Sequence, residues 1–349
     1  MSPLPSPEEF DDASGEPPVT PPTPDQLERA AHLIRQGRLV AFPTETVYGL
    51  GADATNPQAV ASIFRAKGRP LSNPLIVHVC DQTDARSLTT TWPELAQALA
   101  DRFWPGPLTL VLPRSSRVPD VVAGGPAMST VGLRAPAHPV ARALLEACGV
   151  PLAAPSANRS EGLSPTRAEH VARAGLKGVT LILDGGPCVQ GIESTVLDLS
   201  GPRPRLLRPG ALDPATLRQV VPELELPDAA APLVGSPGLA PRHYAPRAAL
   251  RVAVDPANWR GEIAEAERLG VIHRVSSQDF QGNHPAHAVR IALPDDPAGF
   301  AAGLYAALHD LDRAGVTQIV VEAPPATEEW LAVRDRLRRA SCPPGGSGV

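Results

Sequence analysis

Lysine is nearly missing from this chain. Of 32 basic residues among 349, only Lys67 and Lys177 are lysines; the rest are arginines. Cysteine is sparse too. Cys80, Cys148, Cys188 and Cys342 lie far apart and form no C-x-x-C pair, which excludes a zinc ribbon or disulfide scaffold and fits a reducing compartment. No run of about 18 apolar residues is present, so no membrane-spanning helix is expected. The acidic, Pro-rich N-terminus is the reverse of a signal peptide, and the expected location is cytoplasmic. Several fixed-spacing signatures are absent: G-x-x-x-x-G-K-[ST], G-x-S-x-G and H-E-x-x-H do not occur. Gly49-Leu-Gly51-Ala-Asp-Ala54 satisfies a relaxed dinucleotide pattern, but no acid follows at about 20 positions and the strand–turn–helix context is poor. His284-Pro-Ala-His287 is a lone pair of metal-ligand types without a third partner nearby, and reads as loop.

What is abundant is proline, 42 residues. The formal charge of −5 is unevenly placed. Residues 1–20 carry five acids and no Lys or Arg, so the rest of the chain is near neutral, which argues against a general polyanion-coating protein. The length suits two domains. Residues 1–23, rich in Pro, Ser and acids, read as a disordered tail. Order is expected from the helix cap Thr23-Pro24-Asp25. Strands over 39–42, 75–79, 108–112, 130–134, 152–154, 179–183, 195–199 and 205–208 alternate with helices over 26–36, 57–66, 94–103, 139–148, 167–174 and 214–220. Residues 43–51 read as a polar loop. The fold class is therefore α/β, with a mixed twisted sheet in a domain over 24–221. Residues 222–249 read as a Pro/Gly-rich linker. A smaller α/β domain over 250–340 follows, with strands at 250–254, 270–273 and 317–322 and helices at 263–269, 297–314 and 327–340. Residues 341–349 read as a second disordered tail.

The segment Phe64-Arg65-Ala-Lys67-Gly68-Arg69-Pro70-Leu-Ser-Asn73-Pro74 places one of the two lysines between two arginines, at the junction of a helix and a strand. An ammonium meets a phosphate as a point charge and a guanidinium as a planar fork. An anion clamp and a solvated basic helix end account for this segment equally well. Other polar residues stand at strand ends: Thr44 and Thr46 after the first strand, His78 in an apolar strand, Arg134 closing another. Ser156 and Asn158 lie two apart in Ala154-Pro-Ser-Ala-Asn158. Thr166, Glu193-Ser194-Thr195 and Arg208-Pro209-Gly210 complete the set. Each alone is better explained by capping, core packing or an ion pair.

Taken together and in order, PTETVYGLGADA (43–54), KGRPLSNPLIVHV (67–79), TVGLRAP (130–136), APSAN (154–158), ESTVLD (193–198), LRPG (207–210) and SPGLAPRHYAP (236–246) resemble the threonylcarbamoyl-AMP synthase family. Those proteins carry a YrdC-like domain, here in the two-domain form with a smaller Rossmann-like C-terminal domain. The resemblance implies synthesis of L-threonylcarbamoyl-AMP and pyrophosphate from L-threonine, bicarbonate or CO₂ and ATP with Mg²⁺, for modification of the adenosine beside the tRNA anticodon. It implies an ATP side made of Lys67, Arg69, Asn73, Thr130, Asn158, Thr166, Arg208 and Tyr244, with Lys67 and Arg69 catalytic. It implies a threonine side made of Thr46, His78, Arg134, Ser156 and Ser194, and no metal held by protein side chains alone. Tyr244 would belong to a lid. Leu239, Ala240 and Pro241 depart from the family's usual linker residues. The implied partners are the downstream transfer machinery and, weakly, tRNA. The competing readings are an RNA-binding module in tRNA or ribosome maturation, and carbamoyl transfer in hydrogenase maturation, whose proteins carry C-x-x-C pairs that this chain lacks.

Overall fold

A computed structural model of the chain describes residues 16–227, 242–253, 268–277 and 288–343. The chain begins with β1 (Val19–Thr20), α1 (Pro24–Arg35), β2 (Leu39–Phe42), β3 (Gly49–Asp53), α2 (Pro57–Lys67) and β4 (Ile76–His78). It continues through α3 (Gln82–Ser87), α4 (Glu94–Phe103), β5 (Leu108–Pro113), α5 (Asp120–Ala123), β6 (Thr130–Arg134), α6 (Pro139–Cys148) and β7 (Leu152–Ala153). Then come α7 (Ala168–Ala174), β8 (Val179–Leu183), β9 (Thr195–Asp198), β10 (Arg205–Arg208) and α8 (Pro214–Arg218). These strands make one ten-stranded mixed sheet in the order β1-β8-β2-β3-β7-β4-β6-β5-β9-β10. A second, all-parallel sheet of four strands joins β11 (Ala249–Ala253), β14 (Gln318–Glu322), β12 (Leu269–Arg274) and β13 (Val289–Leu293) in that order. It is flanked by α9 (Pro297–Arg313) and α10 (Leu331–Ala340). No helix among the described residues is long and apolar enough to cross a membrane.

Local chemistry sets the boundaries. Thr23 Oγ accepts from the Gln26 amide and Asn56 Oδ1 from the Gln58 and Ala59 amides, opening α1 and α2 as N-caps do. Gly68, at φ 62°, ends α2 in the left-handed conformation, and turns the chain directly after Lys67.

The observed elements depart from the expected ones in a few places. Residues 49–51 are not loop: β3 pairs antiparallel with β2. Its glycines disguise it. A Cβ on Gly51 would stand 2.7 Å from the ring of Phe42, which lies across the strand. Residues 16–23 are not wholly tail, because β1 pairs in parallel with β8 at the sheet edge. At the other end, the Cys342 carbonyl accepts from Arg242, so order reaches beyond 340. Leu269 opens β12 and is not helical; the rest of the helix expected at 263–269 lies outside the described residues except Arg268. The helix expected from 327 starts with a 3₁₀ turn, Glu328–Trp330. His284, His287 and residues 239–241 also lie outside the described residues.

The two ends of the 222–249 segment are packed. Leu224 is buried, and Glu225 bridges to Arg205 beside β10. His243, Tyr244, Ala245 and Ala248 are buried where the chain enters the second domain.

Candidate active site

A single pocket gathers strand ends from the large sheet under the start of the second domain. Its walls include Thr44, Thr46, Arg69, His78, Arg134, Ser156, Glu193, Ser194, Arg208, His243 and Tyr244. Eight of the residues expected from sequence therefore converge: Thr46, Arg69, His78, Arg134, Ser156, Ser194, Arg208 and Tyr244.

One end of the pocket is a pre-set hydrogen-bond chain. The Thr44 hydroxyl donates to the Val47 carbonyl at 2.6 Å and accepts from the Thr46 and Val47 amides. Its only hydrogen is used, so the Thr46 hydroxyl must donate to it across 2.8 Å. Thr44 is thus a turn residue, while Thr46 passes the chain onward. Arg134 donates to Thr46 Oγ1 at 2.9 Å, to Glu45 Oε1 at 2.6 Å and to the Gly106 carbonyl at 3.1 Å. Three of its five N–H groups are committed, so Arg134 is an ion-pair residue that still keeps two donors. Burial alone would raise the Glu45 carboxyl. The Arg134 charge and hydrogen bond, with the Glu45 and Ala137 amides, outweigh burial and hold it below its ordinary value. His78 is buried, with its Nδ1 unpartnered among the described residues, and burial followed by the nearby Arg134 charge pushes its pKa down to about 3. It is a neutral ring. The Phe42 ring meets it edge-on with centroids 6.3 Å apart.

The other end is cationic. Arg69 is 8% exposed and donates to the carbonyls of Asn73 and Pro74. Burial lowers its pKa to about 10; the Tyr244 phenol opposes that and the Arg208 charge adds to it. Arg208 straddles Ser194, reaching its carbonyl from Nε and Nη2 and its hydroxyl from Nη2 at 3.1 Å. The Ser194 hydroxyl also pairs with Thr109 at 2.8 Å. Tyr244 is buried in a left-handed conformation, φ 59°, that a non-glycine residue rarely holds. The next amide, Ala245, donates to the carbonyl of Glu161, itself at φ 67°.

Lys67 stands behind this wall. Lys67 is 4% exposed, and its ammonium donates to the carbonyls of Ser156, at 2.5 Å, and Asn158. Burial, then the Arg69 charge, holds its pKa well below the ordinary lysine value. Among the described residues neither Lys67 nor Arg69 has a carboxylate in ion-pair contact. Asn158 donates from its amide nitrogen to the Arg159 and Gly162 carbonyls, and its Oδ1 has no partner among the described residues. Thr130 lines a small adjoining cavity with Ile76, Thr109 and Val196. Asn73 is represented near the site by its carbonyl on Arg69. Thr166 is not brought to the pocket; its amide donates to His170 Nδ1 at 3.2 Å.

Sequence reasoning passed over one acid inside its own motifs, Glu45, and named Glu193 only as part of a strand opening, without a role. It also passed over Tyr305 and Arg336, which reach Glu193 from the second domain at 3.1 and 2.7 Å. Arg336 carried a usable signal: with Val333, Leu337 and Ala340 it follows the i, i+3, i+4, i+7 spacing of a buried helix face.

A family model described as "Telomere recombination", covering Sua5, YciO and YrdC, matches residues 32–210. A second, the threonylcarbamoyl-AMP synthase C-terminal domain, matches residues 212–342. The chain is 44% identical over 329 residues to the threonylcarbamoyl-AMP synthase of Pyrococcus abyssi, covering 90% of this chain and 94% of that protein. With the synthase of Bacillus subtilis it shares 41% over 329 residues, covering 90% and 93%. The crystal structure of P. abyssi Sua5 complexed with L-threonine superimposes with a TM-score of 0.81 at 41% identity, over 90% of this chain and 94% of that one. A P. abyssi Sua5 variant with a His and the following Tyr changed to Ala gives 0.82 at 39% identity, over 95% and 94%.

Proposed function

We propose a role for each group in this pocket from one premise: the chain belongs to the two-domain threonylcarbamoyl-AMP synthase family. It makes L-threonylcarbamoyl-AMP and pyrophosphate from L-threonine, bicarbonate or CO₂ and ATP, for threonylcarbamoylation of tRNA. The observation that carries the assignment of roles is the pair of buried cations, Lys67 and Arg69, without carboxylate partners among the described residues. A buried charge without a counter-ion is costly, and a polyphosphate removes that cost.

Threonine's amine adds to CO₂ to form a carbamate, giving its proton to bicarbonate or solvent. A carbamate oxygen then attacks the α-phosphorus of ATP, and the bond to pyrophosphate breaks. Such transfers are carried by positioning and charge stabilisation more than by covalent help. Arg69 and Arg208 face the phosphates, with Lys67 anchoring the 156–158 loop and holding a third N–H for an oxygen. Thr130, Asn73 and Asn158 belong to the nucleotide side at one remove, and Tyr244 closes over it.

At the opposite end, Arg134 keeps two N–H groups for the threonine carboxylate. Neutral His78 and the Ser156 and Ser194 hydroxyls suit its hydroxyl and amine. Magnesium fits this donor set only as a companion of the triphosphate. The pocket carboxylates, Glu45 and Glu193, are taken by Arg134 and Arg336, and no cluster of metal-ligand side chains occurs among the described residues. Its contribution when bound is neutralisation of phosphate charge.

The mixed anhydride product is reactive toward water, so we infer that it passes to transfer machinery that acts on tRNA. The near-neutral body supports only weak, salt-sensitive contact with tRNA itself. The test is pyrophosphate release from ATP measured with and without L-threonine and bicarbonate. Dependence on both is expected, and release that ignores either overturns the reading.

A further inference from the structure

We propose that Arg336 and Tyr305, both in the C-terminal domain, are positioning residues for the synthase site, acting through Glu193. The proposal rests on the synthase reading above. Arg336, on α10, is 1% exposed, among the most buried large side chains of the molecule. Its Nε donates to Glu193 Oε2 at 2.7 Å and its Nη1 to the Pro209 carbonyl at 2.9 Å. One guanidinium from the second domain thus holds two segments of the first, 193–194 and 208–210. Those segments already touch backbone to backbone: a Cβ on Gly210 would lie 2.4 Å from the Glu193 carbonyl oxygen. What they carry into the pocket is Ser194 and Arg208, which are bonded to each other.

Glu193 is the joint. Its Oε2 also accepts from the Tyr305 hydroxyl at 3.1 Å, and its Oε1 from Ser164 at 2.5 Å. The same Arg336 guanidinium lies 5.0 Å from the centroid of the Tyr244 ring, a cation–π contact. Removing the guanidinium therefore loosens three things together: the Ser194 strand end, the Arg208 turn and the Tyr244 covering. A guanidinium fork can hold a carboxylate and a carbonyl in fixed relation; a lysine ammonium cannot reproduce that plane. The second domain, on this account, is a mould pressed against the back of the active site.

The experiment compares wild type with Arg336→Met, Arg336→Lys and Tyr305→Phe in the full chain, by steady-state pyrophosphate release and by calorimetric ATP binding. Arg336→Met should lower kcat by on the order of tenfold to a hundredfold, as misplacement of reacting groups does. Guanidinium ion, at concentrations too low to unfold the protein, should restore part of that loss saturably, and Arg336→Lys should not. Tyr305→Phe keeps its ring and should lose about threefold to tenfold in kcat, the equivalent of one hydrogen bond, while remaining folded. It keeps the test open if Arg336→Met does not fold. Folded variants with kcat and ATP affinity within twofold of wild type overturn the proposal. So does a loss in Arg336→Met that guanidinium leaves unchanged. A wild type without threonine-dependent turnover would instead sink the synthase reading, and the ATP-binding comparison would still judge the positioning claim.

Discussion

Nη2 of Arg134 and Oε1 of Glu45 meet at 2.6 Å with both side chains buried. Glu45 fixes the guanidinium by its charge, and two of its N–H groups remain outside the contacts to Glu45, Thr46 and Gly106. Glu45→Gln keeps the shape and strands the Arg134 charge. We expect a loss of about 3–5 kcal/mol, the range for breaking one side of a buried pair, read by urea denaturation. The threonine KM should rise more than the ATP KM. The Glu45 carboxyl is held below its ordinary value, so its stabilisation is complete above about pH 4.5 and lost as pH falls through the lowered folded value. Equal stability of variant and wild type at neutral pH would refute the pairing.

Lys67 and Arg69 differ in kind, and the difference is measurable. Burial, then Arg69, depresses the Lys67 ammonium; a bound triphosphate reverses the sign of its surroundings and raises it again. Between those two values ATP binding takes up protons. Calorimetry in buffers of different ionisation enthalpy should show that uptake in wild type and lose it in Lys67→Met. Both Lys67→Met and Arg69→Ala should reduce kcat/KM for ATP by about a hundredfold or more, as loss of a transition-state charge partner does. Proton uptake that persists in Lys67→Met would assign the titration elsewhere.

The same contrast explains what the sequence could and could not say. Leu39–Phe42 and Val179–Leu183 were legible because apolar runs, broken only at Thr180, mark largely buried strands. Gly49–Asp53 was not, because two glycines chosen to clear the Phe42 ring erase any side-chain period. Val19–Thr20 sits in a Pro-rich acidic stretch and owes its strand pairing to the edge of β8. In the site, the cations announced themselves by type and crowding. Glu45 and Glu193 did not, since an acid beside a threonine or serine reads as solvated until a distant arginine is known to reach it. Arg336 comes 143 residues after Glu193. Only the phase of its helix hinted that it points inward.

Tyr244 separates two contributions of one side chain. Its ring is buried beside Tyr305 and Arg336, while its hydroxyl has no partner among the described residues. Tyr244→Phe should therefore leave thermal stability unchanged and raise the ATP KM if the hydroxyl meets the nucleotide. Tyr244→Ala removes the ring and should shorten the lifetime of the intermediate, seen as free threonine and AMP accumulating with pyrophosphate. An intermediate lifetime equal to wild type in Tyr244→Ala would remove the residue from the lid.

Acid should weaken the contact between the domains. His170 of α7 and His309 of α9 stack with ring centroids 3.9 Å apart and planes within 20°. Burial, then the facing His309 and the arginines 167, 173 and 313, pushes His170 down to about 3. Burial also lowers His309, against the Ser164 carbonyl and the carboxylates of Asp312 and Asp310. Two histidines whose folded pKa values lie below the unfolded one bind more protons unfolded than folded. Stability is then intact above the unfolded value near 6.5 and declines as pH falls toward the folded values. The slope approaches about 1.4 kcal/mol per pH unit for His170, and His309 adds to it in the same direction. His309→Phe keeps a stacked ring without a titrating nitrogen. It also loses the bond to Ser164, which shifts the whole curve but not its pH dependence. Denaturation midpoints across pH 4.5 to 7 should therefore fall less steeply in His309→Phe than in wild type. Parallel curves would show that this stack does not titrate on unfolding.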